Sequence, residues 1–211
     1  MGIKVINQGK GSGPVVVLRC PSCGRDGTFE RVGVEDILVG SIWLGQRRCP
    51  NSSCYAHIFF IQKGNNLIDT FPPQRIDFEK QDIPDKVLSV FEEAITCHAN
   101  RCYIASAIMI RKTLEEICLD RGATGDNLKK RIQALSSKIV IPKELFEGMD
   151  ELRLLGNDAA HFESRIFDKI SKEEVEVGIE FTKEILKAVY QYAHLLDRLR
   201  SLKKSNTGTS A

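Results

Sequence analysis

Glu151-Leu-Arg-Leu-Leu-Gly-Asn-Asp-Ala-Ala-His161 decides how the C-terminal half of this 211-residue chain is read. Placed on a helix, Arg153, Asn157 and His161 recur every four residues and share one face. Leu152, Leu155 and Ala159 fall on an adjoining apolar arc. The stretch therefore predicts an amphipathic helix with an arginine, an amide and an imidazole in a row beside a core seam. Such a row can move protons and hold an anion, or it can fix helix register as a satisfied polar network.

The sequence on either side is helical. Ile83-Pro84-Asp85 opens a helix with proline in its first turn, and Val87, Leu88, Val90, Phe91, Ala94 and Ile95 give it an apolar face. A second helix over about 101–120 is apolar over a broad arc and is expected to be central. Gly122 closes it. A shorter helix follows over about 125–137, and Ile141-Pro142 opens the helix that carries the quoted stretch. Ser171-Lys-Glu-Glu174 matches a capping box and starts a long amphipathic helix to about 199. Gly156 in mid-helix costs about 1 kcal/mol against alanine, so a close helix approach or a local break is expected there.

The first third has a different grammar. Val15–Arg19, Thr28–Val32, Ser41–Arg47 and Tyr55–Gln62 read as short strands. Between them lie Cys20-Pro-Ser-Cys23-Gly24 and Cys49-Pro-Asn-Ser-Ser-Cys54. Each pair can deliver two thiolates from one tight turn, so Cys20, Cys23, Cys49 and Cys54 are the expected ligands of a tetrahedral, structural Zn²⁺ in a zinc ribbon. His57 is an alternative to Cys54. A module this small lacks a sufficient core, and the metal would supply much of its folding energy. Trp43, Phe59, Phe60, Arg47 and Arg48 are candidates for a nucleic-acid surface or for packing inside the ribbon.

Composition narrows the classes. A net charge of +2 is too small to imply nucleic-acid or membrane binding by itself. No apolar run reaches the roughly 20 residues that a bilayer requires, and the N-terminus lacks a secretory pattern, so a cytoplasmic protein is expected. Seven cysteines in a reducing compartment point to metal ligands and core thiols, with Cys97, Cys102 and Cys118 in the second group.

Three segments together resemble a known family. They are Ala105 to Glu116 with Arg111 and Glu115, then Leu128, Ile132 and Leu135, then Leu152-Arg153-x2-Gly156-Asn157-x3-His161. They resemble the domain-of-unknown-function family numbered 4145, with its R-x-x-L-E and R-x-x-G-N-x-x-A-H patterns, over about residues 84–197. The resemblance implies an N-terminal zinc ribbon and a helical bundle of the HEPN superfamily. Many members of that superfamily are metal-independent ribonucleases of toxin and phage-defence systems, with the active helix paired across a homodimer. It also implies His161 as acid/base, Asn157 as its orienting group and Arg153 as the anion-binding group. Here Gly156 stands where the active motif carries arginine, so whether the chain is an enzyme stays open. Arg153 is expected either to reach the site or to pair with Glu115 or Glu116.

The expected architecture is α+β, a small zinc-ribbon β module followed by an all-α up-and-down bundle. Its parts are an arm over 1–13, the ribbon over 14–71, a linker over 72–82, the bundle over 83–200 and a disordered tail over 201–211. The expected function is an accessory protein of a defence, toxin or restriction system. It binds RNA, another nucleic acid or a protein partner, with endoribonuclease activity as one reading and a non-catalytic interaction or dimerisation module as the other. Membrane association is not expected.

Overall fold

Strand β5, Ile42–Arg48, is the hub of the N-terminal unit in the computed structural model, which describes residues 8–160 and 170–207. The chain divides between Asp77 and Phe78 into two compact units. In the first, β1 (Gln8–Gly11), β2 (Val16–Arg19), β3 (Asp26–Arg31), β4 (Asp36–Val39), β6 (His57–Lys63) and β7 (Asn66–Phe71) gather around β5. All pairings are antiparallel, with β6 on one side of β5 and β4 and β3 sharing the other. Strand β1 pairs with β4, β2 with β3, and β7 with β6.

Alternation explains the burial. Val16 and Leu18 on β2 face inward, as do Ile58 and Phe60 on β6. With Phe29, Cys20 and Cys49 they form one small core. Each large apolar side chain buried there contributes at most about 1.5–3 kcal/mol. Five such residues and two cysteines leave little margin after backbone entropy is charged.

Beside that core lies a buried ion pair. The Arg47 Nη1 and Nη2 donate to Asp36 Oδ1 and Oδ2, both at 2.7 Å, and the side chains are 1% and 2% exposed. Gly13 N donates to Asp36 Oδ2 at 2.8 Å, while Arg47 also reaches the carbonyls of Pro14 and Gln46. Its guanidinium lies 4.5 Å from the Phe60 ring centroid. Three segments distant in sequence are thereby fastened together. Gly45 on β5 makes room for this: a Cβ there would lie 1.9 Å from Asp36 Oδ1.

Two sequence expectations need correcting here. The stretch 1–13, read as a loose arm, contains strand β1 and the Gly13 hydrogen bond. The chain gains a partner strand in β4, which local composition does not reveal. Arg47 and Phe60, entertained as parts of a nucleic-acid surface, are buried instead. Phe59 is 55% exposed and Trp43 is half-buried.

The second unit is helical. Helix α2 (Tyr103–Asp120) packs against α1 (Asp85–Ala99), α3 (Leu128–Leu135), α4 (Lys143–Ala160) and α5 (Lys172–Leu186). It buries Ala107, Ile110, Thr113, Leu114, Ile117 and Cys118. Its end is a Schellman turn: Gly122, at φ +66°, donates to Leu119 O, and Ala123 N donates to Cys118 O at 2.7 Å. Asn127 caps α3 through Lys130 N, and Ser171 with Glu174 forms the capping box of α5. The expected long last helix is continuous but not uniform. A π-helical turn over Lys187–Gln191 joins α5 to α6 (Tyr192–Thr207), and α6 runs into the stretch read as a disordered tail. No helix among the described residues is long and apolar enough to cross a membrane. The architecture is α+β, an antiparallel sheet followed by a helical region.

Candidate functional site

Two knuckles bring four sulfurs together at one end of the β core. The first lies between β2 and β3. Gly24 N donates to Cys20 O and Cys20 N to Arg25 O, both at 2.9 Å, and Gly24 takes φ +71° to turn the chain. The second lies between β5 and β6, where Cys54 N and Tyr55 N both donate to Asn51 O. There Tyr55, at φ +50°, occupies the position that Gly24 holds in the first. The Sγ atoms of Cys20, Cys23, Cys49 and Cys54 all lie within 4.8 Å of one another. Cys20–Cys54 is 3.9 Å and Cys23–Cys49 is 3.8 Å. With Zn–S bonds of about 2.3 Å, a regular tetrahedron has sulfur–sulfur edges of about 3.8 Å, so the donor set fits a closed four-thiolate centre.

The four thiols are not equivalent. The Arg25 amide, followed by the Asn51 side chain, holds Cys23 down to about 6. Burial pushes Cys49 up to about 12. Binding a cation must therefore displace a proton from Cys49, whereas the donors around Cys23 already favour its thiolate. His57 is not in the cluster. It is exposed on β6, where Gln46 Nε2 lies 2.6 Å from its Nδ1.

The second candidate is the polar row on α4. Its two described members, Arg153 and Asn157, have different partners. Arg153 Nε lies 2.7 Å from Asp150 Oδ1 on the same helix, with the arginine side chain only 14% exposed. That hydrogen bond is the main reason why the Asp150 carboxyl sits below its ordinary range. Arg153 thus pairs neither with Glu115 nor with Glu116, the partners expected from sequence. Asn157 turns the other way, where its Oδ1 accepts a hydrogen bond from Arg111 Nη1 of α2. His161 lies outside the described residues.

Arg111 is the residue that sequence reasoning underused. In the sequence it stands as the arginine of the R-x-x-L-E pattern and four residues before Glu115, a contact that the structure contains at 3.5 Å. Nothing in the spacing shows that it also reaches Asn157, 46 residues away. Gly156 makes the contact possible. A Cβ on Gly156 would lie 2.4 Å from Arg111 Cβ and 3.0 Å from Ala107 O, so α4 and α2 approach too closely for any side chain there. This is the close helix approach that a mid-helix glycine suggested. Below Arg111, Lys112 pairs with Glu116 at 3.0 Å and Glu115 at 3.4 Å.

The remaining candidates are dispersed. Cys118 is buried and Cys97 partly so, but Cys102, expected as a core thiol, is exposed at the α2 N-cap. Burial raises both Cys97 and Cys118, to about 11 for the latter, so neither is an activated nucleophile. His98 is buried against Tyr103 with Nε2 3.3 Å from Glu176 Oε1, and burial lowers its pKa despite that carboxylate. His194 Nδ1 lies 2.5 Å from Asp82 Oδ1.

No curated protein and no solved structure matches the chain. A family model does, over residues 92–204, which span α2, α3, α4, α5 and most of α1 and α6. That is just over half of the chain and contains Arg111, Glu115, Arg153, Gly156, Asn157 and His161. The protein belongs to the family described as Domain of unknown function (DUF4145).

Proposed function

We propose that this protein is a binding module: a zinc ribbon, stapled by a structural Zn²⁺ on Cys20, Cys23, Cys49 and Cys54, joined to a HEPN-like helical bundle that docks a macromolecular partner without cutting it. The observation that carries this reading is the commitment of the polar row. Asn157 is taken up by Arg111, and Arg153 is nearly buried against Asp150. The Arg111 bond to Asn157 ties α2 to α4, and freeing Arg153 from Asp150 would leave a nearly buried charge without its partner. The four thiolates complete a tetrahedron and leave no open position for substrate, which supports a structural role for the metal.

One observation favours an enzymatic reading. Arg111 places a guanidinium beside Asn157, one helix over from the position at which Gly156 lacks a side chain. In that reading the anion-binding arginine comes from α2, Asn157 orients, and His161 transfers the proton. The partner is an RNA, another nucleic acid or a protein of a defence or restriction system.

The test is one assay on purified full-length protein. Mixed RNAs are incubated with wild type, Arg111→Ala and His161→Ala, and metal content is measured on the same samples. The binding-module reading expects one zinc per chain and no cleavage by any of the three. Cleavage by wild type that disappears in both variants would establish the enzymatic reading instead.

A further inference from the structure

The last helix carries an apolar stripe that its own bundle does not use. Tyr192, Leu195, Leu199 and Leu202 recur at spacings of three, four and three, the pattern of a coiled-coil seam, and Leu196 adjoins them. They are between 46% and 64% exposed, although the helix leading into them buries Ile185, Leu186, Val189 and Tyr190. Soluble chains rarely leave a contiguous row of large apolar side chains in water unless something covers it. Arg198 and Arg200 flank the stripe, and Lys203 and Lys204 continue the basic run.

A complementary surface lies on the same unit. Helices α4 and α5 leave an open groove with Gly148, Leu152, Leu155, Val177 and Phe181 as its apolar floor and wall. Its rim is acidic, with Glu151 on one side and Glu173 and Glu174 on the other. Glu174 is occupied by the capping box, but Glu151 and Glu173 have no ion-pair partner among the described residues. The dimensions agree. Leu195 to Leu202 and Gly148 to Leu155 each cover seven residues of rise, about 10 Å.

We propose that the occupant of this groove is α6 of a second copy of the chain. Groove and stripe lie on the N-terminal and C-terminal parts of one continuous helical run, Lys172–Thr207. Two such runs laid antiparallel about a two-fold axis place each stripe in the other copy's groove, which closes the assembly at two. Opposite charge fixes the direction: Arg198 and Arg200 meet Glu151 and Glu173, whereas two α6 helices paired with each other would set arginine against arginine. This pairing holds whether or not the bundle acts on RNA.

The test exploits the reciprocity. One full-length variant carries Glu151→Lys and Glu173→Lys, and the other carries Arg198→Glu and Arg200→Glu. Circular dichroism checks that both fold, and sedimentation velocity in the micromolar range reads their state. Wild type is expected to be a dimer. Each variant alone sets like charges across both interfaces and is expected to associate at least about ten-fold more weakly, the equivalent of about 1.4 kcal/mol. Mixed one to one, the two variants present only opposite charges to each other, and a heterodimer is expected to form. A monomeric wild type, dimers that persist in both variants, or a mixture that fails to associate would each overturn the proposal.

Discussion

Outside the four clustered cysteines, replacing Asp36 by alanine is expected to cost more than any other single exchange in the β unit. The substitution removes two hydrogen bonds of 2.7 Å to Arg47 and one of 2.8 Å from Gly13 N. Summed as independent charge-assisted bonds at about 1.5–3 kcal/mol each, they would come to about 4.5–9 kcal/mol. The true figure is smaller, because Arg47 keeps the Pro14 and Gln46 carbonyls and the Phe60 face. Breaking a buried pair typically costs about 3–5 kcal/mol, and we expect about 4. The protein provides its own probe. Trp43 is the single tryptophan, sits on β5 and has its ring edge near Gly11 and Gly13. Urea titrations followed by tryptophan emission therefore report the β unit, while ellipticity at 222 nm reports the helices. Asp36→Ala should shift the first transition to lower urea and leave the second in place. Replacing both partners, Asp36→Leu with Arg47→Met, should recover most of the loss, because two apolar side chains leave no charge to desolvate. The Gly13 amide would still lack a partner, at about 1 kcal/mol. A loss below about 1 kcal/mol in Asp36→Ala, or a double variant no better than the single, would refute the claim that an unpaired buried guanidinium is what costs.

Four further outcomes follow from the same geometry. A strong chelator at neutral pH should abolish the Trp43 transition and spare the helical signal, because structural zinc contributes an apparent ~10–16 kcal/mol, comparable to the whole stability of a domain; Cys49→Ser should do the same without chelator. Burial lowers the His98 pKa, so the unfolded chain binds the proton more readily. Its stabilising contribution is complete above the unfolded value of about 6.5 and is lost as pH falls toward the folded value; the melting temperature of the helical unit should drop between about pH 7 and 5, and His98→Gln should flatten that slope. Gly156→Ala gains about 1 kcal/mol of helix propensity but sets a Cβ 2.4 Å from Arg111 Cβ, and overpacking at the upper end of about 3 kcal/mol wins; a thermal melt should show a net loss of about 2 kcal/mol, and a stabilised variant would mean that the helices are farther apart. Arg111→Met keeps the packing stem and removes the hydrogen bond to Asn157; hydrogen exchange in α4 around residue 157 should accelerate by about ten-fold or more, for a bond worth ~1.5 kcal/mol or above.

How much of this was legible depends on how local each signal is. The knuckles, the capping box at Ser171 and the Schellman turn at Gly122 are each specified within a few residues, and each stands where the residues indicated. Strand β1 was not readable, because Gly-Lys-Gly has no strand preference and acquires order only by pairing with β4. Nor was the Asp36–Arg47 pair: an acid before Ile-Leu-Val and a basic doublet before Cys49 look like solvated ends of strands, and only the tertiary fold turns them inward. The same holds on α4. Four-residue spacing correctly placed Arg153 and Asn157 on one helix, but their partners were decided by what the neighbouring turns offered. Asp150 lay one turn back for Arg153, and Arg111 lay across a gap that Gly156 opens for Asn157.

The two knuckles also set an order of events for a chain emerging from the ribosome. The first pair of thiols appears early and can hold a cation by two bonds only. The clasp closes when Cys54 emerges, after β5 but ahead of every residue of the helical unit. On the zinc reading proposed above, newly made protein can capture the ion while the C-terminal part is still being synthesised, and the β unit can be locked before the bundle begins to collapse. Scarcity of metal during synthesis would then act at one step, leaving an open β unit attached to helices that fold on their own schedule.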